Sequence, residues 1–273
     1  MIQVVKATGE IQPFSEQKVR DSIKRAGIAN ELQNQVVQHV ESKLFDNIKT
    51  SEIYRHITEF LGQSAYPYSK ARYSLKESIM ALGPTGYPFE DFVADILSIE
   101  GYKTQVRTII GGKCISHEID VIAQKILADG EEKAMIEVKF HNGFGTRTDV
   151  QDALYTKARF DDVKEKYGFT NVWLVTNTKA TLDAIQYGQC VGMKVISWNY
   201  PEEQSLRSII EKSRLSLITA LTTLSQNQKQ ELLQNHIVLC KDLYEKPSSL
   251  DLLSLPPEKK SQIIKEAEFV YKS

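Results

Sequence analysis

Cysteine is scarce. Three occur in 273 residues, and Cys114, Cys190 and Cys240 lie too far apart for a disulfide framework or a zinc site built from paired ligands. All three read as reduced and structural. No apolar run approaches the ~20 residues of a membrane-spanning helix. The opening MIQVVKATGE also lacks the basic-then-apolar layout of a secretory signal. The expectation is a cytoplasmic protein with no membrane partner. Excess charge is missing too: the formal net charge is -1. That excludes indiscriminate coating of nucleic acid and makes any polyanion contact local. No GxxxxGK[ST] loop is present, so nothing points to nucleotide hydrolysis. There is no internal repeat and no low-complexity tract. What is present is a 41% apolar chain of ordinary folded composition, long enough for two domains and an appendage.

The spacing predicts a short strand and turn over 1–9, then a helix carrying Val19, Ile23 and Ala26. Further helices are expected over 30–44, 50–61 and 68–82, with Thr50 and Ser51 placed to cap before Glu52. Residues 1–82 therefore form a small, mostly helical unit, and the turn formers of GPTGYP, 83–88, mark a linker. Beyond it Phe89, Phe92, Val93, Ile96 and Leu97 make an amphipathic helix ending at Gly101. The period then becomes that of strands in YKTQVRTII, HEIDVIAQK and KAMIEVKF. A helix over 148–167, a buried strand NVWLVTN, a helix over 181–190 and a strand MKVISW complete an α/β domain over 89–200, read as a mixed sheet flanked by helices. Residues 201–273 read as helical, in SLRSIIEKSRLSLITALTTL, KQELLQNHIVLCKDL and a last helix opened by Pro256 and Pro257. They contain no cluster with recognisable chemistry.

In IEVK, Glu137 and Lys139 leave the same face of one strand, with Cα atoms roughly 7 Å apart. Hairpin pairing would bring Asp120 of the preceding strand beside Glu137. Two carboxylates so placed suit Mg²⁺, or Mn²⁺, which fills its other positions with water and substrate phosphate. The lysine beside them is suited to orienting or helping deprotonate an attacking water and to stabilising charge on a reacting phosphate. Taken alone, ExK is an ordinary charged strand face. The order of elements around it adds weight.

HEID, sixteen residues and then EVK is similar to the PD-(D/E)xK nuclease signature, with Ile119 where the signature's name has proline. The surroundings resemble its Mrr-like restriction-endonuclease branch: Phe89 and Glu90 on a first helix, Gly101 and Tyr102 opening a strand, Gln151 in TDVQDALY on the helix after the lysine, and a strand ending WLVTN. The resemblance implies a type II-restriction-like endodeoxyribonuclease. Asp120 and Glu137 would hold the metal, Lys139 would act beside them, Glu90 would be a fourth acidic group and Gln151 a further site residue. Tyr155 shares a helix face with Gln151 and reads equally as a core aromatic. His117 and His141 are left outside the site as solvated residues.

VVKATGEIQPFSEQKVRDSI, IKTSEI and AYPYSKARYSL together resemble the ATP-cone, a nucleotide-binding regulatory domain, over residues 3 to about 80. The resemblance implies ATP or dATP as a regulatory ligand contacted by Val5, Lys6, Lys18 and Thr50, with lysines toward phosphates. Ala7 and Thr8 depart from the family, which usually has a basic residue and an acid there. The combined expectation is a metal-dependent endonuclease acting on DNA, regulated by a nucleotide effector, with a role in defence against foreign DNA. Cutting both strands calls for a homo-oligomer. Two rivals are a nucleotide-responsive DNA- or partner-binding protein that does not cut, and a structure-specific junction nuclease.

Overall fold

The computed structural model describes residues 2–6, 9–64, 68–128, 130–213 and 215–272. They divide into two compact units, one of residues 1–78 with 216–273 and one of residues 79–215.

In the first unit, β1 (Gln3–Val5) pairs antiparallel with β2 (Ile11–Pro13) and parallel with β3 (Ile48–Lys49). The two-residue β3 has too short a period to be read from sequence. Three helices cover this small sheet: α1 (Glu16–Arg25), α2 (Asn30–Glu41) and α3 (Thr50–Gln63). Val19, Ile23, Val36, Val40, Ile48, Ile57 and Leu61 form their shared core. Ser15 caps α1 by accepting the Lys18 N–H, as its small hydroxyl favours. At α3 the expected cap is corrected by one residue. Thr50 and Ser51 are already helical, and Glu52 reaches back to accept the N–H of Lys49 at 3.2 Å. The helix expected over 68–82 is two short ones, α4 (Ser69–Tyr73) and α5 (Leu75–Met80), which meet at Ser74, whose hydroxyl donates to the Ala71 carbonyl. Ala7 and Thr8 lie outside the described residues.

In the second unit α6 (Tyr87–Ile99) leads into β4 (Lys103–Gly111), β5 (Ser116–Leu127) and β6 (Gly130–Lys139). After β7 (Arg147–Thr148) come α7 (Val150–Tyr167), β8 (Asn171–Thr176), β9 (Lys179–Ala180), α8 (Leu182–Cys190), β10 (Lys194–Ile196) and α9 (Leu206–Ser213). The main sheet runs β10-β8-β6-β5-β4, antiparallel through the β4–β6 meander and parallel from β6 through β8 to β10. It is the expected mixed sheet. The strands β7 and β9 form a separate two-stranded parallel pair. Helix α7 is well specified at both ends, with Asp149 capping the Gln151 N–H and Gly168 adopting the left-handed φ of 65°. Its Ala153, Phe160 and Val163 pack on Ile122, Met135 and Leu174 of the sheet. Asp162, on the same helix, accepts the N–H groups of Cys114 and Ile115 and pairs with His117, which ties down the β4–β5 turn.

The C-terminal segment corrects the sequence reading. Helix α9 stops at Ser213, and the apolar run over 215–224 is buried loop with one 3₁₀ turn, Ile218–Ala220. The second expected helix is α10 (Gln226–Gln234) and α11 (Cys240–Glu245), separated where His236 takes a φ of 58°. The last helix, α12 (Pro257–Lys272), starts at Pro257 as expected. What competes with helix formation is Glu266 of α12. Fully buried, its carboxylate accepts the N–H and the hydroxyl of both Thr222 and Thr223 at 2.6–2.8 Å. Those backbone groups are thus satisfied outside any helical ladder. The cysteines are free, but only Cys240 is buried, so a packing role belongs to it alone. Among the described residues no helix is long and apolar enough to cross a membrane.

Replacing Glu266 with alanine takes the acceptor from four donors, two on exposed Thr222 and two on half-buried Thr223. The expected cost is about 1–3 kcal/mol of the first unit's stability, read as a lower calorimetric transition. An unchanged transition would remove Glu266 as the clasp of this segment.

Candidate functional site

The β5–β6 ladder pairs Val121 with Ile136 and runs from there toward the hairpin. One step in the other direction, that register sets Asp120 opposite Glu137, and the strands part. Asp120 instead accepts the Val138 N–H through Oδ2 at 2.7 Å, so its side chain satisfies the donor that the ladder leaves. The β4–β5 ladder breaks at the same level: Val106 pairs with Val121 and Thr108 with Ile119, with no pair between. Arg107 occupies that gap with a φ of 49°. The pleat slips there. His117 and Ile119 face α7, and so does Ile122, although residues three apart on a regular strand face opposite ways. Asp120 therefore stands at an irregularity, the kind of feature that re-aims a side chain.

Glu137 is 4% exposed. Its Oε1 accepts the Lys139 ammonium at 2.9 Å, and its Oε2 accepts the Arg159 guanidinium from α7. The other Arg159 amine donates to the Glu118 carbonyl on β5. Burial, then the nearby Glu137 charge, push Asp120 up to about 7, against the pull of the Val138 N–H. Burial works to lower Lys139, but Glu137, with Asp152 and Asp120 behind it, raises it overall, so the ammonium stays charged. Glu90 on α6 is buried and raised mainly by desolvation, with Arg107 opposing that rise from 3.0 Å. Arg107 also binds Asp91 at 2.6 Å.

Among the described residues no three His, Cys, Asp or Glu side chains assemble into a metal cluster. The fit is to a different kind of ion. Mg²⁺ is commonly held by one or two carboxylates and completes its shell with water and phosphate. Asp120 and Glu137 are two carboxylates of that kind, although Glu137 is already paired with Lys139 and Arg159, so an ion there would share its ligand with two cations.

Asp120, Glu137 and Lys139 thus come together, with Glu90 close enough to act on Asp120 electrostatically. Gln151 sits on the first turn of α7, exposed, with no side-chain bond to the carboxylates among the described residues. Tyr155 is exposed rather than core, with its ring 5.8 Å from the Lys139 ammonium and 5.3 Å from the Arg159 guanidinium. Neither histidine is solvated. His117 pairs with Asp162 at 2.8 Å, and His141 bonds Thr148 at 2.9 Å, with its basicity lowered chiefly by burial. Arg159 and Arg107 escaped the sequence reading. A basic residue inside a helix full of lysines carries no signal, and a left-handed arginine carries none either.

In the first unit a cavity of about 260 Å³ is lined by Gln12, Phe14, Lys18, Thr50, Tyr54 and Tyr73, among others. Lys18 reaches Gln12 at 3.0 Å, and Tyr54 stacks on Tyr73 with centroids 5.2 Å apart. Lys18 and Thr50 therefore meet at one cavity. Val5 and Lys6 do not line it, and the Lys6 ammonium is paired with Glu10 at 3.0 Å.

Three family models match in succession: ATP cone domain over residues 2–78, restriction endonuclease over 83–202, and AF1548-like, C-terminal, over 218–271. An uncharacterized protein of Archaeoglobus fulgidus is 38% identical over 179 residues, which is 65% of this chain and 99% of that protein. The chain belongs to the AF1548-like family. The crystal structure of the protein of unknown function AF1548 is 35% identical, with a TM-score of 0.59, covering 69% of this chain and 100% of that one. The DNA modification-dependent restriction endonuclease AspBHI matches at 14% identity and a TM-score of 0.39, over 60% of this chain and 38% of its own. This family member carries an ATP-cone followed by a restriction-endonuclease-like domain, the order expected from the motifs.

The raised Asp120 makes a stability prediction. An acid whose folded value exceeds its unfolded one loses stability as pH rises, beginning near the unfolded value of 3.8 and completing at about 7. In EDTA, Asp120→Asn should therefore be more stable than wild type at pH 8 by on the order of 2 kcal/mol. The gap should shrink toward pH 4.5 in thermal melts. A gap independent of pH would show that Asp120 ionises freely.

Proposed function

We propose that the chain is a divalent-metal-dependent DNA endonuclease whose cutting is regulated by ATP or dATP bound to its ATP-cone. The observation that carries this reading is the meeting of Asp120, Glu137 and Lys139 where the β5–β6 ladder ends. The restriction-endonuclease family match supports it.

In this reading Asp120 and Glu137 would hold Mg²⁺ or Mn²⁺, which would supply Lewis acidity toward water and phosphate. Lys139 remains protonated in the metal-free chain because Glu137, Asp152 and Asp120 surround it. Its role is then electrostatic: it orients the attacking water and stabilises the negative charge that grows on the phosphoryl oxygens as the phosphodiester is hydrolysed. Proton removal falls to another group or to solvent. Glu90, held by Arg107, adds negative field beside Asp120. Gln151 and Tyr155, both exposed on α7, are available to DNA rather than to the metal.

Nucleotide binding rests on the cavity shared by Lys18 and Thr50. The lysine and the N-terminus of α3 favour phosphate, and the stacked Tyr54 and Tyr73 offer an apolar wall. Regulation follows if the bound nucleotide prefers the form in which the nuclease domain engages DNA. Two centres are needed to cut both strands, so the working form is a homo-oligomer. Such an enzyme suits defence against foreign DNA.

Purified chain is expected to cut plasmid DNA with Mg²⁺ and not in EDTA, at a rate that changes with ATP or dATP. Asp120→Ala and Lys139→Ala should each lower the rate by at least about a hundredfold. Wild type as inert as both variants under every nucleotide leaves a binding protein in its place. Preference for branched over linear duplex makes it a junction nuclease. For the first domain, Lys18→Ala should weaken ATP binding by about tenfold in calorimetry. Unchanged affinity would move the nucleotide elsewhere.

A further inference from the structure

Arg159 is 7% exposed, and burying a guanidinium is costly unless its donors are used well. One amine goes to Glu137 Oε2 and the other to the Glu118 carbonyl, while Nε is buried with no hydrogen-bond partner among the described residues. A side chain kept only for packing has no need of this arrangement, since an apolar residue of similar volume would fill the same space without an orphaned donor. What the guanidinium does is span two strands. Glu118 lies two residues before Asp120 on β5, and Glu137 stands on β6, so one rigid fork from α7 sets the separation of the strands that bear the two carboxylates. A lysine, with its single ammonium on a flexible stem, lacks that fork.

The second consequence concerns charge. Lys139 holds Oε1 of Glu137 and Arg159 holds Oε2. Each carboxylate oxygen has a second acceptor direction, so a divalent ion still has a place to bind. It binds, however, against two positive charges already present, of which the Arg159 guanidinium is buried and poorly screened.

We propose that Arg159 is the positioning residue of the metal centre: it fixes Glu137 relative to Asp120 in the metal-free chain and holds divalent-ion affinity down. This rests on the reading of Asp120 and Glu137 as metal-holding groups. Removing the guanidinium charge should then tighten metal binding while disordering the geometry that chemistry needs. A residue with only a structural role would move neither quantity in that opposed way.

The test uses the full chain and Mn²⁺ alone, without DNA or nucleotide, in calorimetric titration, with Asp120→Ala to identify the site. Arg159→Met, and Arg159→Gln as a second neutral variant should the first fail to fold, are expected to bind Mn²⁺ about tenfold more tightly than wild type. Plasmid cleavage at saturating metal should be slower for both. Arg159→Lys, which keeps the charge, should stay within about threefold of wild-type affinity. Affinity unchanged or weakened in the neutral variants overturns the proposal, and so does equal tightening in the lysine variant. If wild type shows no Mn²⁺ site that Asp120→Ala abolishes, the metal reading itself falls and takes this inference with it. If that site is present and the Arg159 variants match wild type, this inference alone fails.

Discussion

A carboxylate taken out of water beside a second carboxylate costs free energy that the rest of the chain has to offset, and Asp120 beside Glu137 is that situation. Much of the second unit's polar architecture follows from it. The Val138 N–H, released by the end of the β5–β6 ladder, donates to Asp120, and Lys139 and Arg159 each take one oxygen of Glu137. The offset is incomplete, since Asp120 still resists ionisation. What remains at Asp120 is a carboxyl whose ionisation its surroundings still oppose.

The two arginines repeat one device at different distances from the centre. Arg107 binds Glu90 and Asp91 from β4, and Arg159 binds Glu137 from α7. Both are planar forks on rigid elements, and both fix the direction of a buried carboxylate that would otherwise have several rotamers. Arg107 does so from a left-handed backbone conformation, which costs a long side chain about 1–3 kcal/mol. The same local distortion breaks the β4–β5 ladder opposite Asp120 and shifts the pleat that aims it. Stability given up at one residue is returned as geometry at its neighbour.

The strands and long helices of the nuclease-like domain were legible because each has enough residues for a period to register. Lys103–Gly111, Ser116–Leu127 and Gly130–Lys139 lie close to the three expected segments, and the same-face spacing of Glu137 and Lys139 needed only a strand to be correct. The convergence of Asp120 on Glu137 was legible through hairpin order. Its environment was not. The slipped pleat depends on one backbone angle at Arg107, and the salt bridge from Arg159 depends on how α7 lies on the sheet, neither of which leaves a local pattern. The C-terminal misreading has a different cause. LSLITALTTL is apolar at helix-compatible spacing, yet the donors of Thr222 and Thr223 are claimed by Glu266, more than forty residues away. Helical periodicity reports which face is buried and says nothing of a distant acceptor that competes for the backbone.

Magnitudes constrain how a nucleotide sensor governs such a centre. A ligand that binds only one of two forms shifts their balance by about 2.7 kcal/mol when present at a hundred times its dissociation constant. Taking a population from 1:99 to 99:1 requires about 5.5 kcal/mol. At that concentration one occupied ATP-cone would give graded control, a change of about a hundredfold in the ratio of forms. Two occupied cones acting on one concerted equilibrium double the term and reach the full switch. If the chain cuts duplex DNA as proposed, a second cutting centre and a second nucleotide would both come from a symmetric pair of chains. On the proposed function, then, oligomerisation supplies the second active site and, with it, the energy that makes nucleotide control decisive.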